Sequence, residues 1–225
     1  QGEMTHKIYP NVKIGSNAKI GDFVIIGLPP VGKGEGELPT EIGDNAVIRS
    51  HTVIYAGNKI GNNFHTGHHA LIREDNRIGN NVSIGSFSHV AFNCIIEDDV
   101  RAHTSVLIFE NSILKQGCWL GPGVMLANLK YPASSRTKEF IFGCEIGTKA
   151  KLGMGVIVSP GVKIGKNALV GLGAIVTKDV PENAVAIGFP AEVKGDVRKL
   201  KYPDGELAYP SENEEENDMM DETEE

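Results

Sequence analysis

Aliphatic residues recur at every sixth position through most of the chain, most of them followed by a glycine or a polar residue. From residue 42 the sequence reads IGDNAV, IRSHTV, IYAGNK, IGNNFH, TGHHAL, IREDNR, IGNNVS, IGSFSH, VAFNCI, IEDDVR, AHTSVL, IFENSI, LKQGCW and LGPGVM, in unbroken register to residue 125. The pattern opens with IGSNAK at 14 and IGDFVI at 20, and resumes at 146 with IGTKAK, LGMGVI, VSPGVK, IGKNAL, VGLGAI and VTKDVP. The first hexad position is Ile, Leu or Val with few exceptions. The fifth is small or β-branched, as at Ala46, Thr52, Ala70, Val82, Ser88, Val100, Ser112 and Ala168. These two positions are expected to face inward. Gly at the second position, with Asn or Asp at the third or fourth, supplies residues that tolerate tight turns and positive φ. Neither a helix nor an alternating antiparallel strand sustains a strict period of six. Each hexad therefore predicts a short strand plus a corner, three hexads close a triangular coil of 18 residues, and the coils stack as an all-β parallel solenoid.

Hexads 18 apart share a face, which places the two breaks in register. The segments 28–41 (LPPVGKGEGELPTE) and 128–145 (NLKYPASSRTKEFIFGCE) both leave the stack after hexads of one face, so they exit at one corner several coils apart. Long loops on a regular scaffold are where binding concentrates. The chain divides into a solenoid at 4–190, a short C-terminal extension at 191–210 and an acidic tail at 211–225.

Composition agrees with a repeat. The chain has 27 Gly against 8 Phe, 5 Tyr and 1 Trp, too few bulky rings for an aromatic core. The net charge of −7 misleads, because nine acids lie in 211–225; without them the body carries +2. That tail reads as a solvated, disordered run. Weak charge without interleaved aromatics argues against a nucleic-acid partner. Cys94, Cys118 and Cys144 lack CxxC spacing and cannot all pair, which fits a reducing compartment. No stretch approaches the roughly 18 apolar residues of a membrane span and no signal-peptide pattern is read, so a cytoplasmic location is expected.

The hexads, the stretch LGPGVMLANLKYP (120–132) and the run GVIVSPGVKIGKNALVGLGAIVTKDVP resemble the hexapeptide-repeat acyltransferase superfamily over roughly residues 8–190. Sugar and nucleotide-sugar N-acetyltransferases are the most similar branch. The resemblance implies a left-handed parallel β-helix, a homotrimer with active sites between subunits, acetyl-CoA as co-substrate and no metal. A closely similar segment of those enzymes reads GPxVxxTNDxxP. Asn128 matches its Asn, whose role is to orient the amino sugar beside the thioester; the following Asp is Leu129 here. In the glycine-rich coils the resemblance makes Gly153, Gly171, Gly173 and Ala174 small residues along which pantetheine lies close to backbone amides, with Lys178 facing the CoA phosphates. The closing PENAVAIGFPAE segment is read as a cap on the open stack.

Column bookkeeping adds a second line. Ala56, Glu74, Phe92, Glu110 and Asn128 share the third hexad position of one face, so Glu110 and Asn128 are expected side by side. A carboxylate next to an amide holds an ammonium and positions it as it loses a proton. His51, His65, His68, His69, His89 and His103 all fall at outward positions. His103 is the preferred general base, followed by His69 and His68. Arg73, Glu74, His68, Lys130 and Tyr131 are candidate substrate contacts, and loop 28–41 is expected to cover a nucleotide. The 128–145 segment contains no His, which favours an amine acceptor over a hydroxyl. Three readings stay open beside it: a sugar O-acetyltransferase, a zinc enzyme of the γ-carbonic anhydrase type, and a non-catalytic scaffold. The zinc reading needs two His five residues apart, a spacing this chain lacks. A serine acetyltransferase is disfavoured because its usual N-terminal helical domain has no counterpart before residue 8.

Overall fold

The computed structural model describes residues 6–209; the acidic run 211–225 lies outside them. The chain winds as a three-sided parallel β-solenoid, as the hexad spacing predicts and consistent with the left-handed β-helix that the resemblance implies. Strands Lys7–Ile8, Ile25–Leu28, Val53–Tyr55, Leu71–Ile72, His89–Val90, Leu107–Ile108, Met125–Leu126, Ile157–Val158 and Ile175–Val176 form sheet A. Sheet B follows each of them in the chain, from Val12–Ile14 to Lys163–Ile164, and sheet C runs from Lys19–Ile20 to Glu192–Asp196. Register between coils is strict: Leu71 pairs with His89, His89 with Leu107 and Leu107 with Met125.

First and fifth positions meet inside. Ile72, Leu114, Leu120, Leu126 and Ile146 are fully buried, as are Ala46, Val82 and Ala168. Phe64 takes a fifth position as the largest core side chain, a place where the pattern leads one to expect a small residue. At the corner between sheets A and B the fifth positions carry a buried polar ladder. Asn58 donates to the carbonyls of Tyr55 and Arg73, both at 2.7 Å, and its own oxygen accepts from the Asn76 amide at 3.0 Å. The Asn76 oxygen accepts from Cys94 N at 2.7 Å. Fully satisfied, such a ladder stiffens the corner instead of penalising it.

The expected reason for Gly at position two needs correction. Positive φ belongs to position four, at Asn45, Asn63, Asp75, Asn81, Asn93 and Asn111, whereas Gly61 and Gly153 do not adopt it. A Cβ on Gly61 would lie 2.7 Å from the Gly79 carbonyl carbon, and one on Gly153 2.7 Å from Leu172 N. Close stacking of successive coils is what demands glycine there.

Both long loops leave at the A–B corner. The first folds toward the N-terminal end, where Asn11 Nδ2 donates to the Gly36 carbonyl at 3.0 Å. Its strand, Ile25–Leu28, is five strand positions from Met125–Leu126 in sheet A, so the loop does not cover Asn128 of its own chain. The second pairs Leu129 with Ile141, makes one 3₁₀ turn at Thr137–Glu139 and returns to register at Glu145–Ile146. At the far end, Glu192–Asp196 adds antiparallel to Ala184–Ile187 and closes the last coil. Among the described residues no helix is long and apolar enough to cross a membrane.

Leu114→Ala should cost about 2–5 kcal/mol, because the neighbouring coils hold the cavity open. Urea unfolding of both proteins measures it; a loss under about 1 kcal/mol would mean that the coil collapses around the gap.

Candidate functional site

The A–B corner collects one group of the residues singled out from the sequence. Asn128 is nearly buried, and its side-chain amide donates to Glu110 Oε2. The Asn128 carbonyl accepts from Phe142 N at 2.9 Å, so the returning loop pins the residue from behind. Glu74 lies two coils below Glu110 and receives Nε and Nη2 of Arg73, each at 2.8 Å. The guanidinium also sits 4.8 Å from the Tyr55 ring centroid. Lys130 and Tyr131 are exposed at the start of the loop, with the Tyr131 ring edge-on to Phe140 at 5.5 Å.

The preferred histidines are elsewhere in the same chain. His68, His69 and His103 occupy the corner between sheets C and A. His69 is stacked between His51 at 4.5 Å and Phe87 at 5.1 Å, with Phe23 continuing the column at 4.9 Å from His51. All four residues have positive φ, a conformation that disfavours bulky side chains; the continuous ring stack offsets that strain. His68 Nδ1 shares a 2.8 Å hydrogen bond with Ser50 Oγ. The His103 ring meets Trp119 edge-on at 5.0 Å. A single chain therefore does not bring these imidazoles to Asn128.

A residue that the sequence reading passed over stands closer. His89 faces outward on sheet A, half-buried under Phe109, whose ring is edge-on at 5.9 Å. Its Nε2 is buried and has no hydrogen-bond partner. Burial first, and then the Arg73 guanidinium, hold the imidazole below its ordinary range, while Glu110 opposes them. The signal was present: His89 is in the strand that pairs with Leu107–Ile108, immediately before Phe109 and Glu110.

The glycine-rich coils need a further correction. Ala174 is buried at a fifth hexad position, pointing into the core, and cannot line a surface groove. The amides of Gly153, Gly171 and Gly173 already donate to Val170, Ala186 and Met154 carbonyls at 2.8–2.9 Å. What these glycines offer is a track without side chains beside exposed Met154 and Leu172, open at Gly173 and closely backed at Gly153 and Gly171, not free donors. Lys178 is exposed on the A–B corner. The three cysteines are free and buried, and burial pushes the Cys94 and Cys144 thiols up to about 12, which leaves them inert. Among the described residues no group of three His, Cys, Asp or Glu is placed to hold a metal ion.

His89→Phe should flatten the acid limb of stability. A histidine whose pKa is lowered on folding binds fewer protons folded than unfolded, so stability is full above about pH 6.5 and declines as pH falls through that value. Thermal midpoints at pH 7.5 and 5.5 measure it; an equal drop in both proteins would show that His89 is not the source.

No family model matches the chain. Nodulation protein L of Rhizobium meliloti is 36% identical over 120 residues, covering 51% of this chain and 59% of that protein. Galactoside O-acetyltransferase of Lactococcus lactis is 36% identical over 127 residues, 55% of either chain. The chain thus spans little more than half the length of these curated relatives. A solved UDP-N-acetylglucosamine O-acyltransferase from Moraxella catarrhalis superposes with a TM-score of 0.48 at 22% identity, covering 89% of this chain and 78% of that one. A score of that size carries no argument about chemistry. The chain is a hexapeptide-repeat β-solenoid that is similar, over about half its length, to galactoside O-acetyltransferases.

Proposed function

We propose that this protein transfers the acetyl group of acetyl-CoA to a sugar, with the amine of a nucleotide-linked amino sugar as acceptor. The observation that carries the reading is the Asn128–Glu110 pair, nearly buried at the corner from which the 128–145 loop leaves. Because the Asn128 amide nitrogen is turned to Glu110, its side-chain oxygen is left to accept an N–H from the acceptor. The Glu110 carboxylate attracts the ammonium form and takes up the proton that frees the lone pair. The amine then attacks the thioester carbon, the C–S bond breaks, and the thiolate leaves and is protonated. Similarity to a galactoside O-acetyltransferase supports acyl transfer to a sugar, while leaving the acceptor atom to the assay.

A hydroxyl acceptor is the second reading, favoured by His89: a neutral, unpartnered imidazole beside Glu110 is a base of the kind an alcohol needs.

The active form is a homotrimer with sheet A turned to the threefold axis. The outward residues of that sheet are Lys7 on its first strand and then Ile25, Val53, Leu71, His89, Leu107, Met125, Ile157 and Ile175, a stripe that is apolar apart from Lys7 and His89. The matching positions include Glu41, Lys59 and Arg77 on sheet B and His65 and Arg101 on sheet C. Threefold packing on sheet A sets the A–B corner of each copy against the C–A corner of the next. Glu110 and Asn128 then meet His103 of a neighbour, and Glu74 and Arg73 meet its His68 and His69. Acetyl-CoA lies in the same cleft, along the glycine track toward Lys178.

Thiol release from acetyl-CoA, screened against nucleotide-linked amino sugars and their hydroxyl counterparts, tests the chemistry. An amino sugar should support turnover, and Asn128→Ala should lower kcat on the order of 100-fold. Turnover with hydroxyl sugars alone would select the second reading, and silence with every acceptor would reject both. Leu107→Lys should convert the assembly to single chains in light scattering; an unchanged mass would reject packing through sheet A.

A further inference from the structure

Sheet C carries a notch of which the proposed chemistry uses only His103. Outward positions on three successive coils are His65, Ser83 and Arg101, with Trp119 on the next. Serine between two long side chains leaves a gap one coil deep. On the adjoining corner, Gly85 adds no side chain while His103 rises on the following coil, with Thr104 beside it. The resulting hollow, about 200 Å³, is walled by a guanidinium, two imidazoles and the hydroxyl residues Thr66, Ser83 and Thr104.

Its outward-facing polar groups are uncommitted. Among the described residues Arg101 forms no ion pair, and the side chains of His65, Ser83 and Thr104 have no hydrogen-bond partner. The His103 ring meets Trp119 edge-on at 5.0 Å. The nearest acid, Asp99, borders the adjoining hollow and is already engaged: Asn81 donates to one oxygen at 2.9 Å and Gln116 to the other at 3.2 Å. Convergent donors around an unneutralised guanidinium form an anion site, and the planar fork of Arg suits phosphate oxygens in particular.

We infer that the Ser83–Gly85 notch on sheet C binds a phosphate-bearing ligand, with Arg101 as the principal contact and His65, His103, Ser83 and Thr104 completing the cradle. The site stands on the geometry of one chain. It rests on the acetyltransferase reading only for the source of the phosphates, either the nucleoside diphosphate of the acceptor or CoA itself. Sheet C flanks the C–A corner, so in the proposed trimer the notch opens beside the cleft that holds Glu110 and Asn128.

Calorimetry on the full chain, with pyrophosphate, UDP and CoA as separate titrants and no acyl donor, tests the site without turnover. Pyrophosphate should bind, and Arg101→Gln should weaken it at least ~10-fold. Ser83→Phe fills the notch from the outward side and should abolish binding while circular dichroism stays native. Histidine ring resonances of His65 and His103 should shift on titration. UDP binding more tightly than CoA would assign the phosphates to the acceptor, and the reverse order to the donor. The inference is overturned if pyrophosphate fails to bind, or binds equally well to both variants. Absence of acetyl transfer would leave these titrations intact, so the two readings fail separately.

Discussion

Everything in this molecule depends on the hydrogen-bonded closure of each coil onto the next. The amide of Gly61 reaches the Ile78 carbonyl at 2.9 Å and that of Gly79 the Ile96 carbonyl at 2.8 Å, and the same bond repeats up the stack. This spacing leaves room inside each corner for one aliphatic and one small residue per hexad. It leaves no room for a Cβ at position two where coils approach as closely as at Gly61 and Gly153, and demands left-handed backbone at position four. Asn satisfies the last requirement and also bonds to its counterpart one coil away, as Asn45, Asn63, Asn81 and Asp99 do in a continuous column.

A lattice this regular turns sequence spacing into chemical geometry. Residues 18 apart stand in one column, so a pair such as Glu110 and Asn128 is built from positions far apart in the chain yet held by backbone that has little freedom to move. The buried Asn58–Asn76 ladder behind the same corner adds rigidity where both loops depart. The three faces differ in what they present outward. Sheet A is largely apolar, whereas B and C carry charge, and the proposed trimer buries that apolar face. In that assembly the corners flanking the face bring the groups of two chains together.

Most of the architecture was legible in the sequence because the period is short and strict. The hexads foretold the faces, the shared exit corner of the two loops, and the Glu110–Asn128 column. Features set by contacts between columns were not legible. His89 looked like any outward histidine, and only the Phe109 ring over it and the Arg73 guanidinium near it make its imidazole unusual. Ala174 looked like a small surface residue, but a fifth position belongs to the core. The glycine amides looked available until the inter-coil bonds were seen to use them. The Ser83 notch is likewise invisible without knowing that His65, Ser83 and Arg101 stand in one column beside His103.

The central claim is that the acceptor site is shared between copies, with Glu110 and Asn128 from one and His103 from the next. Subunit mixing tests it most directly. Asn128→Ala and His103→Ala chains, each deficient alone, are unfolded together, reassembled at equal ratio and assayed for thiol release. A shared site predicts recovery to about a quarter of the wild-type rate, because random assembly restores both wild-type corners at that fraction of interfaces. A mixture no more active than its parents would contradict the account, as would a His103→Ala chain that is fully active by itself.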